Sequence, residues 1–459
     1  MAHVSSRLLS VSIVLLAAFV LVLLPAASAI STSGTRTLVV VDKEFDRSQY
    51  SKFFNDLESR GYDLDIRQAN DPELSLFVYD ERLYDHLILT LPPVQRSLGP
   101  NFLAKPLLNF VSAGGNVLVV LNPTAAAPSS VRSFAAELDI SLPFRDAKLV
   151  DHFSYDNVLA PRTHDVVVLD PASAVLNSNV VANITTGKKI LYRGSAFALG
   201  NSQLVVPILG AQETAYTFDP VEESLQSDQP FVTGTQSFLV AGFQARNNAR
   251  VVIAASSDLF ANRFFDSKIH TNDRESDSGN RELARSVSAW AFQEKSVLRL
   301  NYVSHKLVES EEINSAIYRV KQQVEYTVSV SEYLDDKWVP YVTDDLQLEF
   351  TMLDPYYRLS IPVLSQTSDA AIYSVKFVTP DQHGMFTFHT NYKRTGLSYI
   401  EDKKTITLRH FGHNEFLRSY EIPNAWPYIT SIVTVVVGWV LFVTLWVFSK
   451  GSEVEKKTT

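Results

Sequence analysis

Apolar positions change texture along this chain. From residue 37 to about 295, short continuous apolar runs alternate with stretches whose apolar residues recur at helical spacing. The runs 37–41, 64–67, 86–91 and 116–121 read as strands. Between the first two, Tyr50, Phe53, Phe54 and Leu57 share one helical face, and Gly61 stops it. Before the fourth, Leu107, Leu108, Phe110 and Val111 do the same and stop at Gly114 and Gly115. Strand, helix, strand and helix in this order predict a parallel sheet covered on both faces, an α/β flavodoxin-like domain over 30–164. The apolar runs 166–169, 189–192, 204–209, 238–243 and 250–255 follow, then a helix with Leu283, Val287 and Trp290 on one face. They predict a second α/β-type domain over 165–296, with the polar tract 270–280 as a loop.

From residue 297 the period becomes two. Val324, Tyr326, Val328 and Val330 alternate with polar residues, as do Leu346, Leu348 and Phe350, Phe386 with Phe388, and Ile406 with Leu408. Helical spacing is missing until the C-terminal apolar run, so 297–427 is expected to be a membrane-proximal antiparallel β-sandwich.

Two long apolar runs bear on the compartment. Arg7 precedes an uncharged, largely apolar stretch, 8–24, broken by Ser10 and Ser12 alone, that ends at Pro25, and Ala27-Ser28-Ala29 supplies the small residues of a cleavage site. Residues 1–29 therefore read as a secretory signal peptide. The run 428–448 carries no charge and at ~1.5 Å per residue spans roughly 31 Å, the thickness of a bilayer's hydrocarbon core. Trp426, Tyr428 and Trp446 sit where its headgroup layers would be. A type I single-pass protein is expected, its bulk in the lumen and its tail, 449–459, in the cytosol. Lys450, Lys456 and Lys457 in that tail fit the positive-inside tendency. Lys456 and Lys457, fourth and third from the end, resemble the dilysine retrieval signal of endoplasmic reticulum residents.

Composition removes several function classes. The chain has 41 Lys+Arg against 50 Asp+Glu and no long basic run, which argues against a nucleic-acid partner. It has no cysteine, so disulfides, cysteine metal sites and thiol nucleophiles are out of reach. At 46% hydrophobic, 459 residues can bury cores large enough to do without cross-links.

Catalytic and cofactor motifs are scarce. No dinucleotide or phosphate-binding glycine loop, nucleophile elbow or H-E-x-x-H pair occurs, and no cofactor is expected. Asp63 and Asp65 match the D-x-D metal pair of many glycosyltransferases, a pattern common by chance. His410 and His413 could share a metal on a helix, but the surrounding strand pattern would put them on opposite faces. The tract 151–156, with Asp151, His152, Tyr155 and Asp156, gathers ionisable groups but reads better as a structural turn or an interface. Asn183 heads the one N-x-S/T sequon with an allowed middle residue, a candidate N-glycosylation site. On the last helix, Thr434 and Gly438 lie one turn apart as a candidate packing stripe. Two other readings are a lumenal hydrolase using Asp42 and Asp65 at the first sheet's strand ends, and a lumenal carbohydrate-binding module with exposed aromatic residues.

Longer stretches carry a family resemblance. The run 37–92, beginning TLVVVDKEFDRSQY, resembles the N-terminus of the 48 kDa subunits of oligosaccharyltransferase. So do 112–120 (SAGGNVLVV), 192–194 and 239–250 (LVAGFQARNNAR), and 337–355 (KWVPYVTDDLQLEFTMLDP) resembles that family's membrane-proximal domain. The resemblance implies a non-catalytic subunit of the endoplasmic reticulum membrane complex that moves oligosaccharide from dolichyl diphosphate to Asn in N-x-S/T. It further implies a separate catalytic multi-spanning subunit, a ribophorin II-like subunit and a small DAD-type membrane subunit as partners. The absence of cysteine departs from some members.

Overall fold

The computed structural model describes residues 31–42, 45–71, 74–90, 98–143, 146–182, 184, 188–218, 230–271, 274–334, 336–416 and 425–449. The first unit is built on a seven-stranded mixed sheet. Its strands are β1 (Arg36–Val41), β2 (Asp63–Gln68), β3 (His86–Thr90), β4 (Asn116–Val120), β5 (Val205–Gly210), β6 (Phe238–Gln244) and β7 (Arg250–Ala254). Their order across the sheet is β5-β6-β7-β4-β3-β1-β2. From β7 to β2 all neighbours are parallel, whereas β6 runs antiparallel to both β7 and β5. All residues of β4 and β7 are buried, the signature of strands covered on both faces.

The covering helices are α1 (Ser51–Ser59), α2 (Ala104–Ser112), α3 (Ser129–Glu137) and α4 (Asn280–Ala291). Each turns an apolar stripe inward: Phe53, Phe54 and Leu57 on α1, Leu107, Phe110 and Val111 on α2, Leu283, Val287 and Trp290 on α4. Helix α2 ends at Gly114, whose φ of +91° suits glycine, and a Cβ on Gly115 would lie 2.3 Å from the Phe110 ring.

Three features differ from the sequence-based expectation. Strands β5, β6 and β7 complete the first sheet rather than building another, with Val251 opposite Val117, so the expected boundary after residue 164 does not separate two sheets. Pairing across more than a hundred residues leaves no trace in local periodicity. Helix α3 went unpredicted because Ser129, Ser130, Ala135 and Ala136 dilute the stripe made by Val131 and Phe134. The polar tract 270–280 forms part of a hairpin, Lys268–Thr271 against Arg274–Asp277, and then enters α4.

The second unit holds two five-stranded sheets. Its strands are β8 (Val297–Leu307), β9 (Ile317–Arg319), β10 (Gln323–Leu334), β11 (Lys337–Pro340), β12 (Gln347–Thr351), β13 (Pro355–Ser360), β14 (Val363–Gln366), β15 (Ala371–Val378), β16 (Gly384–Tyr392) and β17 (Ile400–Arg409). One sheet runs β8-β10-β15-β14 with β11 also on β10, and the other runs β9-β17-β16-β12-β13. Pairing is antiparallel except between β9 and β17. Along β10, where Ser329 and Ser331 on the opposite face are buried too, Val324, Tyr326, Val328 and Val330 line one buried face, as their period predicts. They meet Phe350, Phe386 and Phe388 of the other sheet in one core, where Tyr326 stacks on Phe388 at 5.2 Å between centroids.

A hydrogen-bonded seam joins the two units. Arg250, the first residue of β7, is fully buried with its guanidinium carbon 4.7 Å from the Trp290 ring centroid. Its Nη1 donates to the carbonyls of Trp290 and Lys295, both at 2.9 Å. Its Nη2 donates to the Ser296 carbonyl at 2.6 Å and to Ser398 Oγ at 3.2 Å. The turn joining β16 to β17 enters the same place. Trp290 Nε1 donates to Gly396 O (2.8 Å), Gln244 Nε2 to Leu397 O (2.7 Å), and the Tyr399 amide to Asn248 Oδ1 (2.7 Å). Gly396 sits at φ +84°, where a Cβ would come within 2.9 Å of Asn177 Oδ1. Burial pushes Arg250 down to about 9, so it stays charged at neutral pH.

Replacing Arg250 by Met keeps apolar volume but strands three buried carbonyls. The expected loss is roughly 3 kcal/mol or more, since each unmet buried polar group costs about 1–3 kcal/mol. Urea unfolding of the purified chain measures it, and an unshifted midpoint would contradict the seam's role.

Candidate functional site

The acidic residues proposed for chemistry at the first sheet are separated by its register. Asp42 follows Val41, which lies opposite Gln68, whereas Asp65 lies opposite Leu38. Four strand positions at ~3.3 Å each put the two backbones on the order of 13 Å apart along the sheet. Asp65 is also engaged through both oxygens: Arg67 Nε donates to Oδ1 at 2.9 Å and the Tyr84 hydroxyl to Oδ2 at 2.6 Å. Burial, and then this bond to Asp65, push Tyr84 up to about 12. Among the described residues no group of three or more His, Cys, Asp or Glu is placed to hold a metal. Beyond the C-terminal end of β4, the cleft lined by Asn122, Pro123, Asp146 and Ser195 offers about 10 Å³, room for one water at most.

Asp151 and Asp156 are turn-forming residues, as read from the sequence. Both are buried. Asp151 accepts from the Phe153 and Ser154 amides and from Thr214 Oγ1, and Asp156 from the amides of Val158, Leu159 and His270. Between them, His152 faces His164 (2.7 Å between Nδ1 atoms) and the Tyr216 hydroxyl (2.9 Å), and Tyr155 stacks on His164. The spacing of His410 and His413 misleads. Strand β17 ends at Arg409, and the ring beside His410, at 4.8 Å between centroids, is His383.

Two buried polar clusters escaped the sequence reading. Arg60 donates to Glu294 Oε1 (2.7 Å) and Ser288 Oγ (2.9 Å), and the Tyr62 hydroxyl donates to the same Glu294 oxygen. His86, fully buried, donates from Nε2 to the Gly34 carbonyl at 3.0 Å and accepts at Nδ1 from Asn116 Nδ2 at 3.3 Å. Ser31 closes this corner by donating to the Phe292 carbonyl at 2.6 Å. These partners lie up to 261 positions apart, so no local motif announces them.

A cavity of about 490 Å³ is lined by Asp170, Pro171, Val175, Val181, Ile184 and Lys188, with Lys189 beside them. Two of its charged groups are engaged. Asp170 caps the short helix Pro171–Ala174, and Lys188 pairs with Glu282 at 2.5 Å. Asn183, the glycosylation candidate, lies outside the described residues, as do the signal segment 1–29 and the retrieval lysines Lys456 and Lys457.

The remaining functional element is helix α5 (Trp426–Phe448), 23 residues with a mean hydropathy of 2.4 over its most apolar window and no acidic or basic residue. It starts two residues before the predicted span, because Pro427 is tolerated in a first turn. Its hydroxyls are satisfied within the helix: Thr430 donates to the Trp426 carbonyl (2.8 Å), Thr434 to Thr430 O (2.7 Å) and Thr444 to Val440 O (3.0 Å). Such internal satisfaction is what a water-free surrounding demands. Thr430, Thr434 and Gly438 follow at four-residue spacing on one face, and a Cβ on Gly438 would meet nothing within 4 Å.

Fold and helix together define a class: a mixed α/β unit and a β-rich unit carried on one chain with, among the described residues, a single apolar helix long enough to cross a bilayer. Residues 28–294 match the family model for the OST48 N-terminal domain and residues 305–450 that for the OST48 middle domain. The chain belongs to the OST48 family. It is 36% identical over 424 residues to the dolichyl-diphosphooligosaccharide–protein glycosyltransferase subunit wbp1 of Schizosaccharomyces pombe, covering 92% of this chain and 94% of that protein. It is 34% identical to subunit WBP1 of Saccharomyces cerevisiae (96% and 98% covered), and 35% identical to the 48 kDa subunit of Danio rerio (92% and 93%).

The buried imidazole makes folding sensitive to acid. Burial holds His86 down at about 4, against about 6.5 in an unfolded chain. Between these values the unfolded chain binds a proton that the folded chain refuses, so stability falls as pH drops from about 6.5 to about 4, by about 3 kcal/mol in all. Urea midpoints measured across that window should decline, and His86→Gln should flatten the decline.

Proposed function

We propose that this chain is a non-catalytic subunit of the oligosaccharyltransferase complex, needed for assembly and for efficient transfer of oligosaccharide from dolichyl diphosphate to Asn in N-x-S/T. The observation that carries this reading is the match to both family models, which together span both folded units and α5. In this reading 1–29 is a cleaved signal, 30–427 lies in the lumen of the endoplasmic reticulum, α5 spans its membrane and 449–459 is cytosolic, with Lys456 and Lys457 as the retrieval signal. Asn183 is then exposed to glycosylation. The first unit is a flavodoxin-like variant and the second a β-sandwich above the bilayer.

What the chain supplies is shape and contact. Several of its charged groups serve caps, the seam and surface pairs, and Asp42 and Asp65, the candidates of the hydrolase reading, lie apart in the sheet. Partners are a catalytic multi-spanning subunit, a ribophorin II-like subunit and a small DAD-type subunit. The small-residue face of α5 at Thr434 and Gly438 suits close approach of a neighbouring helix, because without Cβ bulk two backbones come within van der Waals contact.

Gly438→Leu is expected to lower recovery of the partner subunits in pull-downs from mild detergent while leaving thermal unfolding of the folded units unchanged. Wild-type recovery would remove this face from assembly. The isolated chain is expected to transfer no glycan to an N-x-S/T peptide, and transfer by it alone would overturn the non-catalytic reading.

A further inference from the structure

Exposed apolar side chains of the second unit gather at one end. The sheet register places the start of β10, the ends of β9, β15 and β17, the start of β16 and the β12–β13 hairpin tip together there. Ile313, Ile317, Leu353, Val378, Met385 and Phe416 are exposed at this end. The seam to the first unit occupies the opposite end.

Leu353 is the sharpest of these. It is fully exposed at the tip of the β12–β13 hairpin and sits at φ +138°, a region bulky residues avoid. Backbone strain and an exposed leucine are both unfavourable in water, and an apolar surrounding removes the second cost. Beside it, Met352 packs against Gly384, His383 lies against His410, and Phe411 against Phe416, so the tip is continuous with the stretch leading toward α5. From Phe416 to Ala425 the chain can reach at most about 32 Å, at ~3.5 Å per residue. The apolar end is therefore tethered close to the start of the apolar helix.

Charges here are mixed. Lys321 and Arg409 are exposed, but so are Asp354 and Asp381, and Glu415 pairs with Arg409 at 2.7 Å. An anionic partner gains little from such a surface, whereas an apolar medium with neutral headgroups fits it.

We propose that this end of the second unit rests in the headgroup layer of the bilayer, with the 352–354 hairpin tip dipping into it as an apolar wedge. The inference depends on α5 spanning the membrane. It makes the β-rich unit a second membrane contact, one that limits how the unit tilts on its single helix.

Because the chain has no cysteine, single-thiol variants report one position each. Leu353→Cys, Val342→Cys at the seam end and Val437→Cys in mid-helix are each spin-labelled in the full chain, reconstituted in phosphatidylcholine nanodiscs. Accessibility to oxygen, which concentrates in lipid, is compared with that to a water-soluble nickel chelate. The expected result is an oxygen-to-nickel ratio several-fold higher at 353 than at 342, and highest at 437. A lipid signature at 437 with 353 matching 342 would overturn the wedge while leaving the span intact. Shielding of 353 from both reagents would mean protein covers the tip, and would overturn it too. Absence of a lipid signature at 437 would remove the span and the wedge together.

Discussion

One buried cation organises the join between the two folded units. A guanidinium removed from water is tolerated only where fixed acceptors replace hydration. Arg250 finds them in the Trp290, Lys295 and Ser296 carbonyls and Ser398 Oγ, with Trp290's ring beneath. Three of those acceptors lie at the end of α4 and in the link into β8, and the fourth lies in the β16–β17 turn. The charge thus fixes the exit of one unit and the entry of the other in a single contact. Lysine could not reproduce this, because its point charge lacks the planar fork of donors.

That same residue shows where a sequence stops being legible. Arginine heading the apolar run 250–254 looks like an ordinary strand edge, and nothing local marks it as fully buried. Its acceptors come from main chain, which any sequence can supply. The alternation along β10 was readable because burial on one face leaves a period of two, and the apolar faces of α1, α2 and α4 because they are long and unambiguous. Helix α3 was not, being short and rich in serine and alanine. The joining of β7 to β4 depends on which apolar strand meets which, a choice made by the whole core rather than by any window.

Candidate chemistry divided along similar lines. Asp151 and Asp156 read correctly as turn residues because short acidic side chains cap neighbouring amides within three positions. Asp63 and Asp65 kept their spacing but not the chemistry it suggested, since Arg67 and Tyr84 occupy Asp65. For His410, spacing named His413, while the fold supplied His383, the residue just before β16, which pairs with β17. Thr434 and Gly438 share a face of α5 at the spacing read from the sequence.

Strand β17 has a geometric consequence of its own. It leaves the seam at Ile400 and ends at Arg409, nine residues later, on the side from which the chain proceeds to α5. At ~3.3 Å per residue that is a rod of about 30 Å. Clamped at one end by the 396–399 turn, it works as a spacer between the seam and the far end of the second unit. Lengthening or shortening this one strand by a residue pair would change how far apart those two ends lie.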